Sequence, residues 1–500
     1  MKGPDRLAVG RFIATWWLPA VIACAVGALY VCYSVAQWRA LVAPSWDLGI
    51  FAEAVQAYSR FEAPIVPIKG PGYNLLGDHF HPILALLGPI FRLFPSALTL
   101  LVVQDLLIAA SVLPIARLAQ RLLGRGGALL VGLAYGLGWG LQGAVGAQFH
   151  EVCVAVPLLA FGGAAFVERR WGACMAWLAP LVLVKEDLGL MVFVAGLALA
   201  WRRRGEGRPA VLRSIAYALF GIVAFVLTVK VLLPAMNPAG TWAYSLDGAA
   251  TGAGTPTGGT TAARAIPSLW DILTTPSVKL VTLIVLAAGA GFVGTASPWF
   301  ALVAPTLAWR FAGSVESYYG WDSWHYNAVL VPIAACSLLD LIDQWLAPER
   351  TAAETDADAE DDAPASSNLG WRVAAWAVAC VPAASLALTA SSLPLWHLPD
   401  LKEDPRMAAA LGALDAVPEG VSVETDTTLL ARLVPGREVY WVGTTGTMDT
   451  PPEYVVIDGR SYAWGDQEVD AESWGSAAHP GHSYETVYAK QGFRVARRTS

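Results

Sequence analysis

Apolar runs of about 20 residues recur along this chain from the N-terminus to about residue 392, and no other feature constrains its fold as strongly. A helix of that length crosses a hydrocarbon layer of roughly 30 Å while satisfying its own backbone hydrogen bonds. Buried strands of a soluble α/β protein run to about half that length. Composition agrees. Of the 500 residues, 55% are hydrophobic and only 15% charged, against about a quarter charged in an ordinary soluble domain. The reading is an α-helical polytopic membrane protein of about eleven spans. The first segment, near Phe12 to Ala36, is too long for a signal-peptide core and reads as a retained signal anchor.

Positive charge orients the spans. Lys2, Arg6 and Arg11 precede the first segment. Two segments later come Arg117, Arg121 and Arg125, then Arg169 and Arg170, then Arg202, Arg203, Arg204, Arg208 and Arg213. Every second loop is basic. The N-terminus is therefore expected on the cytoplasmic side of a bacterial inner membrane, and the segments 37–95, 149–151, 185–187 and 234–276 on the outside. The net charge of -7 comes from acids gathered in one linker and the tail. No basic stripe points to nucleic acid. All six cysteines sit in apolar context with no Cys-x-x-Cys pair, as small core hydrophobes do.

A membrane domain is expected over 1–346. Its first outer loop, 37–95, carries an amphipathic stretch from Leu48 to Tyr58 suited to the interface. Residues 172–184 and 188–201 read as two short helices meeting at Lys185-Glu186-Asp187, because one long helix would break the basic alternation. Further spans are expected at 277–296, 298–311 and 326–346. Residues 347–370 are acidic and poor in apolar side chains and read as a disordered cytoplasmic linker. The last span is placed at 371–392. Residues 393–500 read as a small extracytoplasmic α/β domain, with strands at 421–423, 438–442 and 454–458 and helices at Met407–Ala416 and Ser483–Gln491.

Five short motifs hold the unusual chemistry: SWDLGIF (45–51), GDHFHP (77–82), QFHEV (148–152), VKEDLG (184–189) and DSWHYN (322–327). All fall at outer ends of spans. Ionisable groups at membrane depth cost several kcal/mol unless paired or hydrated, so their gathering at one face predicts a shared polar cavity. Each has a plainer reading beside this one. Asp47 fits an N-cap of a helix starting at Leu48. Lys185 with Glu186 or Asp187 fits a structural ion pair, and His150-Glu151 a solvated loop. His79 and His81 fit interfacial hydrogen bonding, or, with Asp78, the spacing of a metal site. A divalent metal ion is the one cofactor this pattern allows.

WDLGIF, GDHFHP, FHE and KEDLG resemble a bacterial membrane-protein family, the domain of unknown function 2079, over about residues 20–345. The layout also resembles the GT-C superfamily of integral-membrane glycosyltransferases: a cytoplasmic N-terminus, one span, then a long outer loop with an acidic residue. That second resemblance implies a polyprenyl-phosphate sugar as donor, a lipid-linked partner, and an acceptor hydroxyl at the outer face. It implies Asp47 as general base, with Asp78, Glu151, Glu186 and Asp187 orienting the acceptor or holding a divalent ion. Lys69, His81, Lys185, Arg310 and His325 are the implied phosphate partners. The chain departs from the best-known pattern in lacking adjacent acids in the first loop. A transporter of lipid-linked or polar solutes and a non-catalytic envelope scaffold remain the competing readings.

Overall fold

A computed structural model describes residues 6–237, 240, 269–313, 315–322, 324–356, 369–446 and 448–500. Most of the expected loop 234–276 and residues 357–368 of the acidic linker lie outside the described residues. Helix α1 (Arg6–Arg39) is followed by α2 (Asp47–Ser59), the short α3 (Gly88–Leu93) and the long run α4 (Ala97–Gly136). Then come α5 (Trp139–Gly146), α6 (Ala155–Val167), α7 (Trp171–Leu178), α8 (Leu188–Arg202) and α9 (Arg208–Leu227). Among the described residues, five helices have the length and apolarity to cross a membrane: Ala14–Arg39, Ala97–Gly146, Arg208–Met236, Leu330–Ala347 and Leu369–Ser392. Five shorter apolar helices accompany them. The protein is a multi-pass α-helical membrane protein, but helix length alone does not yield the expected eleven crossings.

The run α4 is two helices. Gly124, at φ 73°, breaks it, and the second half doubles back on the first. A Cβ on Gly132 would stand 3.0 Å from that of Ala116, and one on Gly136 would stand 3.1 Å from Val112. Gly124 supplies the left-handed conformation that a side chain resists. The turn brings Arg117, Arg121 and Arg125 to one end of the bundle. There Arg117 meets Glu168 at 2.6 Å, Arg121 meets Asp343 at 3.1 Å, and Arg202 meets Asp340. The expected pair of short helices also appears, as α7 continued by a 3-10 turn to Leu183, then α8 after the charged turn. Helices α8 and α9 pack backbone to backbone. A Cβ on Gly196 would come within 2.5 Å of Ala218 N, and one on Gly221 within 2.5 Å of Phe193 N. Small residues permit such approach where lipid offers no hydrophobic drive.

Three expectations need correction. The helix from Leu330 runs on to Asp356, so the linker's first residues are helical. Its sequence, TAAETD, joins good helix formers to the last turn of a long helix, and propagation costs less than nucleation. The span placed at 298–311 is a 3-10 segment, Pro298–Val303, leading into the helix Ala304–Ala312. Finally, Ser483–Gln491 is a strand rather than a helix. Tyr484, Thr486 and Tyr488 alternate with Glu485, Val487 and Ala489 in the period of two that a pleated strand needs.

The tail is a five-stranded sheet: β1 (Ser422–Thr425), β2 (Glu438–Trp441), β3 (Tyr454–Asp458), β4 (Tyr484–Lys490) and β5 (Phe493–Arg498), in the order β2-β1-β3-β5-β4. The pairs β1–β2 and β1–β3 are parallel, and β5 runs antiparallel to β3 and β4. Helix Met407–Asp415 falls where the sequence places it. The sheet domain docks on the first loop. Both oxygens of buried Glu53 on α2 accept backbone N–H groups, from Ile68 at 3.1 Å and from Val439 on β2 at 3.2 Å. Leu430 packs on Gly49, and Trp46 meets Trp441 edge-on at 5.6 Å. Buried Leu429, Leu430, Leu433 and Val439 join Leu48, Phe51 and Val55 in one apolar core, each fully buried side chain contributing about 1.5–3 kcal/mol. The tail and the loop 37–95 therefore share one face of the bundle, and the arginine cluster lies with the opposite turns.

Candidate active site

The five motifs converge. Asp47 opens α2, with Trp46 in the N-cap place and no side-chain cap bond, so the expected capping role is not the one it plays. Its Oδ2 instead accepts from Ser45 Oγ at 2.8 Å and faces His150 Nε2 at 3.3 Å. His150 stacks on His325 with ring centroids 3.6 Å apart and planes at 21°. Lys185 Nζ donates to Glu151 Oε1 at 2.7 Å. Glu186 faces His79 Nδ1 at 2.8 Å and accepts Phe80 N–H at 3.0 Å. Each motif thus holds at least one other.

They line a cavity of about 230 Å³ whose walls include Asp47, His79, His150, Glu151, Lys185, Glu186, Asp187, Arg310 and His325. Phe225, Trp309, Tyr318 and Tyr326 add an aromatic surround. Arg310 is only 3% exposed, yet its hydrogen-bond partners are neutral: the carbonyls of Tyr318, Gly320 and Tyr326 and the Asn327 side chain. A guanidinium so placed carries a positive charge that, among the described residues, no carboxylate bonded to it cancels. Buried Asp187 Oδ1 and His325 Nδ1 have no hydrogen-bond partner among the described residues. Such orphaned atoms in a polar cavity are groups that a ligand or water can satisfy.

The state of Asp47 follows from its neighbours. Burial raises its carboxyl, but the hydrogen bond and charge of His150 and the Ser45 hydroxyl bring it below the ordinary carboxylate value. It is therefore ionised at neutral pH, as a proton acceptor must be. His150 is held from both sides. Its Nδ1 lies 3.2 Å from the Gln148 carbonyl while Nε2 faces Asp47. Gln148 reaches this position with φ 70°, in the left-handed region that side chains resist.

Four of the roles expected for the loop residues change. Lys69 and Asp78 pair with each other beside Tyr73, and neither lines the cavity. His81 does not line it either. It is 1% exposed, beneath the edge of Phe51, and burial pushes its imidazole down to about 4. A neutral ring there has no charge to offer a phosphate. Nor do His79, His81 and Asp78 make a metal centre: among the described residues no three His, Cys, Asp or Glu side chains are grouped to hold an ion. His79 is turned to Glu186, and Asp78 to Lys69. The motifs by themselves assign no role to His150, although its position beside Glu151 is a signal. Tyr318, Tyr326 and Trp309 carry none, because aromatic residues near a span end are ordinary interfacial anchors.

The model of the family described as "Predicted membrane protein (DUF2079)" matches residues 38–495. Among curated proteins none matches. Similar solved structures include ArnT from Cupriavidus metallidurans bound to undecaprenyl phosphate, at 15% identity and a TM-score of 0.48, covering 95% of this chain and 97% of that one. The apo structure of the same protein stands at 16% and 0.46, covering 97% and 98%. The family match spans most of the sequence, and the chain belongs to the DUF2079 family.

Proposed function

We propose that this member of the DUF2079 family moves a sugar from a polyprenyl-phosphate donor to an acceptor hydroxyl at the outer face of the bacterial inner membrane. In this reading the N-terminus is cytoplasmic, the arginine-rich turns face the cytoplasm, and the sheet domain stands outside. The observation that carries it is the placement of an ionised Asp47 in the same cavity as Lys185 and Arg310.

Asp47 takes the proton of the acceptor hydroxyl. The freed oxygen forms a bond to the anomeric carbon as the bond from that carbon to the phosphate oxygen breaks. The electron pair leaves with the lipid phosphate. The uncancelled charge of Arg310 and the ammonium of Lys185 face that developing anion. His150 fixes the direction of the Asp47 carboxylate, and Tyr318, Tyr326 and Trp309 offer aromatic faces to a sugar ring. Glu151, Glu186 and Asp187 orient acceptor hydroxyl groups, and Asp187 Oδ1 is free to accept a hydrogen bond from one.

The test uses the full chain in membranes of a strain lacking its own copy, given a panel of radiolabelled polyprenyl-phosphate sugars. Asp47→Asn keeps the size and shape of the side chain and removes its basicity. We expect unchanged protein level and a loss of label transfer of about 100-fold or more, the scale of a positioned general base. Normal transfer by Asp47→Asn refutes the assignment. Label that crosses sealed vesicles without covalent change instead supports the transporter reading.

A further inference from the structure

The opposite end of the bundle holds a second cavity, of about 440 Å³, lined by Arg169, Trp171, Arg202, Arg204, Gly205 and Glu206. It combines three arginines with one carboxylate. The ion pairs of this end explain what that excess means. Glu168 holds both Arg117 and Arg170. Asp343 holds Arg121, and Asp340 holds Arg202. Glu206 is taken by Arg203 at 2.9 Å and by Trp171 Nε1 at 2.8 Å. Among the described residues these carboxylates are already bonded, and neither Arg169 nor Arg204 forms an ion pair with any of them. Arg204 lies over the Trp201 ring at 4.3 Å and gives one N–H to the Trp201 carbonyl, which leaves donors of its fork unused among the described residues.

Two further observations aim this charge at a ligand. First, Arg169 ends α6 with φ 56°. The N–H of Arg169 returns to Phe166 O and that of Arg170 to Ala165 O, the arrangement in which glycine usually stands. The chain keeps an arginine where glycine would relieve strain. Second, α7 begins at Trp171 with no side-chain cap, and an added Cβ on Gly172 would meet nothing within 4 Å. The first turn of α7 is therefore open beside the cavity, and its free N–H groups favour an anion. Trp171 lines the cavity and the exposed Trp201 lies under Arg204, and tryptophans are enriched where a membrane meets water.

We propose that this cavity binds a phosphate group, through Arg169, Arg204 and the open N-terminus of α7, at a site separate from the Asp47 cavity. Planar guanidinium forks suit phosphate oxygens in pairs. The group arrives on a lipid headgroup or as a free anion, and both sources present the same chemistry.

The experiment compares the intact protein with Arg169→Gly/Arg204→Ala and with Arg208→Ala/Arg213→Ala. The control removes the same charge from exposed positions of the same end that do not line the cavity. Thermal stabilisation is titrated with inorganic phosphate alone, and lipid retention is measured by native mass spectrometry after exchange into vesicles of phosphatidylglycerol and phosphatidylcholine. The site variant should bind about 30-fold more weakly, the loss expected when two direct guanidinium–phosphate hydrogen bonds are removed, while the control changes less than threefold. Because Arg169→Gly relieves a strained backbone, its unliganded melting temperature should hold or rise, so weaker binding is not misfolding. Selective loss of phosphatidylglycerol with no phosphate effect assigns a lipid headgroup, and selective loss of the phosphate response assigns a soluble anion. Equal losses in the two double variants, or none in either, overturn the proposal.

Discussion

Glu53→Ala tests whether the sheet domain is clamped to the membrane domain through α2. Glu53 is 5% exposed and joins three segments of chain: α2, the loop at Ile68 and strand β2 at Val439. Burial lifts its carboxyl well above the ordinary range, and the two N–H groups it accepts oppose that rise. Truncation to alanine leaves two buried N–H donors without partners, at about 1–3 kcal/mol each. Removing a buried carboxyl also recovers its desolvation cost, so the net loss belongs near the lower end, about 2 kcal/mol. Hydrogen exchange followed by mass spectrometry reads this directly in the full chain. Peptides spanning 66–70 and 437–442 should exchange about 30-fold faster in the variant, the equivalent of that loss. Glu53→Gln keeps one carbonyl acceptor and turns an amide group toward the other N–H, so it should fall between. Unchanged exchange at both peptides in Glu53→Ala refutes the clamp, and acceleration at one peptide alone refutes its bridging role.

Other expectations follow from single contacts. Gly196→Val drives a side chain into the backbone of Ala218 and should cost about 1–3 kcal/mol, read as a lower melting temperature in detergent. It should also disturb the Asp47 cavity through Leu188, Leu190 and Phe225. Lys185→Met leaves Glu151 a buried, unpaired charge and should cost about 3–5 kcal/mol; adding Glu151→Gln should recover much of that, and a double variant less stable than Lys185→Met contradicts the pairing. In the sheet domain, burial raises the Asp426 carboxyl to about 6. A raised carboxyl stabilises the fold below its unfolded value and loses that contribution as pH climbs through the folded one. The domain should therefore lose about 2 kcal/mol between pH 4 and pH 7, a slope that Asp426→Asn should flatten in chemical unfolding followed by tryptophan fluorescence.

Much of this protein is written locally. A 20-residue apolar run meets its hydrogen-bonding needs within itself, so the membrane class is readable without tertiary structure, and so is a basic turn at Arg117, Arg121 and Arg125. Three of the five strands are legible for a similar reason: in the third, Tyr454, Val455, Val456 and Ile457 form a continuous apolar run between turn residues. Ser483–Gln491 is not legible in this way, because a weak alternation sits in a half-exposed edge strand, whose period only its pairing with β5 makes plain.

Convergence at the site was partly legible, since charged and imidazole side chains at span ends have few stable places other than a shared cavity. Which of them share it was decided by packing. Asp78 and His81 lie in the same motif as His79, yet Lys69 takes the first and Phe51 covers the second. The docking of the sheet domain on Glu53 and Gly49 lay equally beyond the sequence, because the partners are separated by nearly four hundred residues. Periodicity records what one segment does with its own neighbours. Pairing between distant segments depends on the directions in which helices deliver their side chains, and only the folded chain sets those.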